Sequence, residues 1–314
     1  MDKLTIAFMF AGQGSQYPGM GRSLYDNSPA ARAVFEMAES IRPGTIAQCF
    51  NGNDEILART ENTQPCIYCV DLAAAAALKE AGVSAAMLAG FSLGEIAALA
   101  FSGAVSYEDG FSLVCMRARF MQMAADAVDA GMIAVLKLSD DEVVSLCSHV
   151  ENTYPVNFNC PGQVVVAGEK SALEHLKALI KDAGGKSLPL KTSGGFHSPM
   201  MADASRQFAE ALESYEIIPP KTTLFSNYSA KQYLGNIKEL LARQICSPVR
   251  WSAEVESMIS MGANTFIEVG PGKTLCGLVQ RIASSERAIG ASRTCNIYNI
   301  EDYESLIETV GKIS

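Results

Sequence analysis

The sequence has few histidines and no dense block of positive charge. Only three of its 314 residues are histidine, namely His149, His175 and His197. A histidine base, if the chemistry needs one, must therefore be one of these three. Lysine and arginine total 25 against 34 aspartate and glutamate residues, which gives a net charge of −9. No run of lysine or arginine stands out, so we expect no nucleic acid partner.

The sequence also lacks a long apolar run. The run near the N-terminus extends only from about Leu4 to Ala11, short of the ~20 residues that a membrane helix needs. It has neither the charged flank nor the cleavage site of a signal peptide. We expect a soluble cytoplasmic monomer that does not associate with membranes.

Nine cysteines are scattered along the chain without a metal-binding pattern. Cys66 and Cys69 form a C-x-x-C, but no second pair or histidine cluster completes a zinc site. We expect the cysteines to be small core residues in a reducing compartment, and we expect no metal.

Strands alternate with helices in the first part of the chain. Hydrophobic residues make up 48% of the sequence, enough for a sizeable core. The predicted strands lie at about 4–10, 87–90 and, near the C-terminus, 265–269, and the predicted helices at 66–80, 93–101 and 106–127. This order predicts an α/β fold with a mostly parallel sheet covered on both faces.

The pattern changes between about 130 and 192. The predicted elements are strand 132–138, helix 140–150 after an N-cap at Ser139, strands 156–159 and 164–167, helix 171–183 and strand 186–190. This β-α-β-β-α-β order is the ferredoxin-like unit. We therefore expect a large α/β subdomain formed by 1–128 and 193–314, with a ferredoxin-like insert at 129–192.

The stretch AGFSLGEIAAL, residues 89–99, sets Ser92 between Gly90 and Gly94. G-x-S-x-G between an apolar strand and an alanine-rich helix is the pattern of a nucleophile elbow. The strained serine backbone requires nearly side-chain-free neighbours, and the helix N-terminus directs N–H groups toward the reaction site. Ser92 is therefore a candidate nucleophile, although an ordinary serine in a strand-to-helix connection has the same local pattern.

A nucleophilic serine needs a base. His149 ends a predicted helix and His175 lies mid-helix among polar neighbours, so we expect both at the surface. His197 lies in a glycine-rich loop at 192–201, where the insert returns to the main domain. By elimination, His197 is the base if Ser92 is the nucleophile.

Two other features are open to two interpretations each. Gly12-Gln13-Gly14 follows the first strand, and it is either a polar turn or a loop whose backbone N–H faces that of Leu93 across an oxyanion. Arg117 lies along the edge of an apolar helix stripe, where its charge needs an anion. That anion is either a carboxylate of the protein or a carboxylate of the substrate.

Seven stretches together resemble one family. They are FAGQGSQYPGMG (10–21), GFSLGE (90–95), MRARFMQ (116–122), NCPGQVVVAG (159–168), GGFHSPMM (194–201), PVRW (248–251) and EVGPGKTLCGL (268–278). In this order and spacing they resemble the malonyl-CoA:acyl carrier protein transacylases of fatty acid synthesis and the related acyltransferase domains of polyketide synthases. The resemblance implies an α/β-hydrolase-like large subdomain that carries the ferredoxin-like insert.

The resemblance also implies roles for individual residues. Ser92 would be the acylated nucleophile and His197 the general base and acid. The backbone N–H groups of Gln13 and Leu93 would form the oxyanion hole, and Arg117 would pair with the malonyl carboxylate.

Further positions match with less specific motifs. Arg250 matches a residue whose backbone carbonyl orients the histidine, which would make the site a Ser–His dyad. Asn159 and Gln64 match polar residues that line the family's site. Phe196 resembles the residue of malonyl-selective members, whereas Phe91 stands where most relatives have histidine.

The function that the resemblance implies is ping-pong acyl transfer. A malonyl group would pass from malonyl-CoA to Ser92 and then to the phosphopantetheine thiol of acyl carrier protein, without a metal or bound cofactor. Lys181, Lys186 and Lys191 on the insert are candidate contacts for an acidic carrier. A free-standing polyketide synthase acyltransferase, a serine esterase or thioesterase, and a scaffold with an inactive site are the alternatives.

Overall fold

The computed structural model describes residues 4–192, 194–285 and 295–313. Within these residues, the strands are β1 (Ile6–Phe10), β2 (Met87–Gly90), β3 (Ala130–Leu136), β4 (Thr153–Cys160), β5 (Gln163–Glu169), β6 (Lys186–Pro189), β7 (Thr223–Leu224), β8 (Thr265–Val269) and β9 (Asn296–Ile300). They form two sheets, one of five strands and one of four.

The helices lie between these strands and after them. They are α1 (Arg22–Asn27), α2 (Pro29–Ile41), α3 (Thr45–Asn51), α4 (Asp54–Ala58), α5 (Thr60–Glu80), α6 (Gly94–Phe101), α7 (Tyr107–Asp126), α8 (Asp140–Ser148), α9 (Lys170–Asp182), α10 (Ala202–Leu212), α11 (Ile237–Ile245), α12 (Trp251–Ser260), α13 (Thr274–Ala283) and α14 (Tyr303–Ile313), with a short 3₁₀ turn at Pro199–Met201. In the described part of the chain, no helix combines the length and the apolar character that crossing a bilayer requires.

The five-stranded sheet is parallel and has the order β7-β2-β1-β8-β9. Alternate side chains of β1 enter two separate cores, with Phe8 and Phe10 on one face and Ala7 and Met9 on the other. Strands that are buried on both faces are apolar throughout rather than alternating, as β1 is. The predicted parallel sheet covered on both faces is therefore confirmed.

The four-stranded sheet is antiparallel and has the order β4-β5-β3-β6. Its elements follow each other as β3-α8-β4-β5-α9-β6, which confirms the predicted ferredoxin-like order. Ser139 caps α8 in a capping box with Glu142, as its sequence position predicts. The division into subdomains at 129–192 stays a prediction, and its outer limits at residues 1, 193 and 314 lie outside the described residues.

Helix α5 begins earlier than the sequence predicts. Its first residue is Thr60 rather than Cys66, and Pro65 lies inside it. A proline inside a helix removes one backbone hydrogen bond and is therefore uncommon there. Most of α5 is buried in the core, and this packing compensates for the lost bond. The earlier start brings Gln64 and Thr60 to the edge of the site described next.

Candidate active site

Ser92 lies in a sharp turn between β2 and α6. Its φ angle is +56°, in the left-handed region that side chains other than glycine rarely adopt. A Cβ at Gly90 would lie 2.0 Å from the carbonyl carbon of Gly94, and a Cβ at Gly94 would lie 2.4 Å from the oxygen of Phe10. Both glycines are therefore required by close backbone approach, and the turn has the geometry of a nucleophile elbow.

The side chains of Ser92 and His197 meet, although 105 residues separate them in the sequence. Ser92 Oγ is 2.7 Å from His197 Nε2, and the two residues are only 9% and 4% exposed. His197 Nδ1 is 2.8 Å from the backbone carbonyl of Gln244. Since a carbonyl only accepts, Nδ1 carries the proton, and Nε2 is left to accept from the serine hydroxyl.

Burial and, as a smaller cause, the positive charge of Arg117 together lower the pKa of His197 from its ordinary value of 6.5 to about 4. The ring is therefore neutral near pH 7. A neutral imidazole with a free Nε2 lone pair beside a hydroxyl is the arrangement that general base catalysis needs.

The sequence-based assignment of the orienting carbonyl to Arg250 is wrong. The carbonyl that accepts from His197 belongs to Gln244, near the end of α11. Arg250 is exposed, and its carbonyl accepts from the backbone N–H of Glu254 in the first turn of α12. The motif alone does not reveal which nearby carbonyl faces the histidine.

Arg117 is completely buried beside the nucleophile. Its Nη2 donates to Ser92 Oγ over 3.1 Å and to Gln244 Oε1 over 2.7 Å, and its Nη1 donates to Gln64 Oε1 over 2.5 Å. Its Nε is buried without a partner. Burial lowers the pKa of Arg117 to about 10, so the group remains charged near pH 7.

Among the described residues, the ion pairs include none made by Arg117. The internal salt bridge that the sequence left open is therefore not found in the described part of the chain.

Gln13 and Leu93, whose backbone N–H groups are the predicted oxyanion donors, line the same cavity as Ser92. Among the described residues, no hydrogen bond is donated by the backbone N–H of Gln13 or by that of Leu93. The turn that holds Gln13 lies directly against the elbow, because a Cβ at Gly12 would be only 2.8 Å from the oxygen of Phe91. Two unpaired donors near a nucleophile are what an oxyanion hole requires, and this role for them remains a prediction.

A cavity of about 590 Å³ opens above Ser92. Gln64 lines it, as predicted, but Asn159 does not; Asn157 takes that place. β4 carries register shifts between Pro155 and Asn157 and between Phe158 and Cys160. Such bulges change which side chains of a strand share a face, and simple alternation does not predict them.

Apolar side chains form much of the cavity wall, and a lysine reaches its rim. Phe91 and Phe196 are among the lining residues, and the Phe91 ring meets the ring of Trp251 edge-on at 5.5 Å. Of the three candidate lysines, all exposed, only Lys191 lines the cavity. The rim can therefore present one positive charge to an incoming anionic group.

His149 and His175 are both exposed, as predicted. Within the described ranges, no group of three or more histidine, cysteine, aspartate or glutamate side chains is placed to hold a metal ion.

Sequence reasoning missed a buried polar network beneath the elbow. Gln244 Nε2 donates to the carbonyl of Ser92 and to Glu95 Oε2, each over 2.7 Å. Tyr233 also donates to Glu95, and Asn227 contacts the elbow itself. Burial raises the pKa of Glu95 to about 7. Glu95 lies within the GFSLGE motif, but Gln244 and Asn227 have no local signal that distinguishes them.

The fold and the site define an acyltransferase, since residues 7–302 match the acyl transferase domain family. A malonyl CoA-acyl carrier protein transacylase of Bacillus subtilis is 37% identical over 295 residues, 91% of this chain and 93% of that protein. One of Haemophilus influenzae is 35% identical over 95% of this chain and 98% of that protein. The chain belongs to the malonyl CoA-acyl carrier protein transacylase family.

Solved structures agree with this assignment. The malonyl CoA-acyl carrier protein transacylase of Clostridium perfringens superposes with a TM-score of 0.92 at 36% identity, over 98% of this chain and 96% of that one. A malonyl-transacylase solved in complex with a type II polyketide synthase acyl-carrier protein gives a TM-score of 0.91 at 32% identity, over 98% and 99% of the two chains.

Proposed function

We propose that this protein transfers a malonyl group from malonyl-CoA to the phosphopantetheine thiol of an acyl carrier protein through a malonyl-Ser92 ester. The observation that carries the proposal is the buried charge of Arg117 in contact with Ser92 Oγ. A cation placed there favours an acyl group that ends in a carboxylate. Relatives named for this reaction support the same substrates.

In the first half-reaction, His197 Nε2 accepts the proton of Ser92 Oγ as the oxygen attacks the thioester carbonyl carbon. The negative charge that develops on the carbonyl oxygen is stabilised by the N–H groups of Gln13 and Leu93. When the C–S bond breaks, the sulfur of CoA receives the proton from His197. The product is the malonyl-serine ester with a neutral histidine.

In the second half-reaction, the same groups work in the opposite order. The phosphopantetheine thiol gives its proton to His197 and attacks the ester carbonyl carbon. The C–O bond then breaks, and Ser92 Oγ regains its proton. Because each half-reaction returns His197 to its neutral form, no net proton or electron is needed.

Arg117 would bind the malonyl carboxylate. Its Nε has no partner and its Nη2 is shared between Ser92 and Gln244, so a carboxylate that enters the cavity would satisfy the unpaired donor. A charge-assisted hydrogen bond of this kind contributes about 1.5–3 kcal/mol. Phe91 and Phe196 would border the acyl chain, and Gln64 would hold the guanidinium in place.

The esterase alternative has less support from the geometry. A hydrolytic triad would place a carboxylate against His197 Nδ1, but that nitrogen meets the carbonyl of Gln244.

We also propose the 129–192 insert as a subdomain, fatty acid synthesis as the pathway and the cytoplasm as the location. The nine cysteines, all within the described part of the chain, form no disulfide, in keeping with a reducing compartment.

The test is to incubate the protein with malonyl-CoA, with and without acyl carrier protein that bears its phosphopantetheine arm. We expect malonyl-carrier to accumulate and little free malonate to form when the carrier is left out. Ser92→Ala and His197→Ala should abolish transfer. Rapid release of malonate without the carrier would identify a thioesterase instead. Carriers of fatty acid and polyketide systems, compared as acceptors, would test the pathway.

A further inference from the structure

Asn227 lies directly beneath the elbow and binds the peptide groups on both sides of Phe91. Its Oδ1 accepts from the backbone N–H of Ser92 over 2.7 Å, and its Nδ2 donates to the carbonyl of Gly90 over 2.8 Å. Asn227 is completely buried and is not among the residues that line the cavity. It therefore contacts the nucleophile's backbone from the side opposite to the substrate.

The elbow has a particular need for such a contact. At φ +56° the backbone of Ser92 belongs neither to β2 nor to α6, so neither element supplies a partner for its N–H. A buried N–H without an acceptor is costly, and a left-handed serine persists only when its surroundings enforce it. The bonds from Asn227 meet both requirements with one side chain.

Asn227 is itself held from three directions. Its Nδ2 also donates to Glu254 Oε1 over 2.8 Å, and its backbone N–H donates to Glu95 Oε2 over 3.2 Å. Its carbonyl accepts from the backbone N–H of Arg250 over 3.0 Å. Because Gly90 and Glu254 offer acceptors on one side and Ser92 a donor on the other, only one orientation of the amide satisfies all the bonds.

We propose that Asn227 is a positioning residue that holds Ser92 in its left-handed conformation and so keeps Oγ within hydrogen-bonding distance of His197 Nε2. It acts through the backbone of Ser92 and touches neither substrate. The inference rests on the proposed function where it names malonyl-CoA as the substrate. The effect of Asn227 on the reactivity of Ser92 does not depend on that function. Loss of Asn227 would slow attack by Ser92, while Arg117 and the cavity would still bind malonyl-CoA.

The test compares two variants. Asn227→Leu keeps the shape but removes the side-chain bonds to Ser92, Gly90 and Glu254. Asn227→Asp keeps the acceptor for the Ser92 N–H and loses the donor to Gly90 and Glu254. Thr153→Val is the matched control, since Thr153 is buried in the antiparallel sheet and donates to two carbonyls far from the elbow. Single-turnover acylation at saturating malonyl-CoA, the apparent KM and thermal unfolding are measured for each variant. A fluorophosphonate probe reports the reactivity of Ser92 without malonyl-CoA.

We expect Asn227→Leu to slow acylation and probe labelling on the order of 10²-fold per folded molecule, because small misplacements of a nucleophile have effects of this size. The acylation rate of Asn227→Asp should lie between those of Asn227→Leu and the unmodified protein. The KM of both variants should stay near that of the unmodified protein. Thr153→Val should lose stability and keep its acylation rate. Folded Asn227 variants that acylate within about twofold of the unmodified protein would overturn the inference, and if Asn227→Leu does not fold, Asn227→Asp decides.

The two proposals fail in different ways. If the unmodified protein reacts with the probe but takes no malonyl group, the proposed function is wrong, while probe labelling of the variants still tests Asn227. If malonyl transfer occurs and the Asn227 variants label as fast as the unmodified protein, only the positioning role is wrong.

Discussion

The guanidinium of Arg117 donates to Ser92 Oγ over 3.1 Å from a fully buried position. The neutral amides of Gln64 and Gln244 accept from its Nη1 and Nη2, while its Nε has no partner. A buried cation that is solvated by amides and unpaired with a carboxylate retains much of its attraction for an anion. In the proposed reaction, the pair would link the nucleophile to the selection of an acidic acyl group.

Arg117→Ala should shift acyl preference away from malonyl-CoA. Losing a charge-assisted bond of about 1.5–3 kcal/mol predicts a fall of roughly 10- to 100-fold in kcat/KM for malonyl-CoA relative to acetyl-CoA. The measurement is the ratio of the two donors' kcat/KM values. Arg119→Ala is the control, since Arg119 is exposed on the same helix, and its ratio should not change. A malonyl preference that survives Arg117→Ala would remove Arg117 from carboxylate binding.

The acid limb of the pH profile should lie unusually low. Only neutral His197 accepts a proton, and its pKa of about 4 is below the ordinary 6.5. Acylation should therefore stay constant as pH falls toward about 5 and then decline. Arg117→Gln removes the second cause of the lowered pKa, so the limb should move to higher pH. Rapid-quench acylation rates measure the pH profiles of both proteins. An acid limb near pH 6.5 in the unmodified protein would contradict the assignment of His197 as the base.

The same shift affects stability in a defined direction. Because the folded pKa of His197 is lowered, the unfolded chain binds more protons between about 4 and 6.5. The contribution of neutral His197 to stability is therefore present above about 6.5 and is lost as pH falls through about 4.

Gly94→Ala should destabilise the fold. The added Cβ would meet the carbonyl oxygens of Phe10 and Ala11 at 2.4 and 2.6 Å, so backbone has to move. We expect the free energy of unfolding to fall by on the order of 2–4 kcal/mol. Gly277→Ala is the matched control, because Gly277 lies within α13 with no atom near its Cβ position. That change should stabilise the protein by about 0.5–1 kcal/mol. Chemical denaturation of both variants measures the difference, and equal effects would mean that the elbow tolerates a side chain.

Phe91→His should relax selectivity for the smaller acyl group. Phe91 lines the cavity and packs edge-on against Trp251, and histidine is shorter. Space for one extra methyl group is worth about 0.8 kcal/mol, so methylmalonyl transfer should rise about fourfold relative to malonyl transfer. Competition between malonyl-, methylmalonyl- and acetyl-CoA measures this ratio. If all three ratios stay the same, Phe91 serves packing only.

Local patterns predict much of this molecule. Gly90 and Gly94 predict the elbow because backbone contact excludes any side chain there. The sequence also predicts His197 as the partner of Ser92, because the chain has so few histidines. Gln244 and Asn227 could not be found this way. They reach Ser92 from 152 and 135 residues away in the sequence, and nothing in their own segments differs from an ordinary helix or loop.

Two predicted positions failed for related reasons. Asn159 and Asn157 share a strand, and a bulge decides which of them faces the cavity. Arg250 is close to the right segment, but the carbonyl that meets His197 is that of Gln244. Both details depend on how distant chain segments pack against each other, and a local motif does not contain that information.

Intact-mass analysis after exposure to malonyl-CoA tests the central claim most directly. The unmodified protein should gain one malonyl group, Ser92→Ala should gain none, and adding acyl carrier protein should return the unmodified protein to its original mass while the carrier gains the group. Malonylation of Ser92→Ala, or a malonyl-Ser92 ester that carrier protein does not remove, would contradict the account.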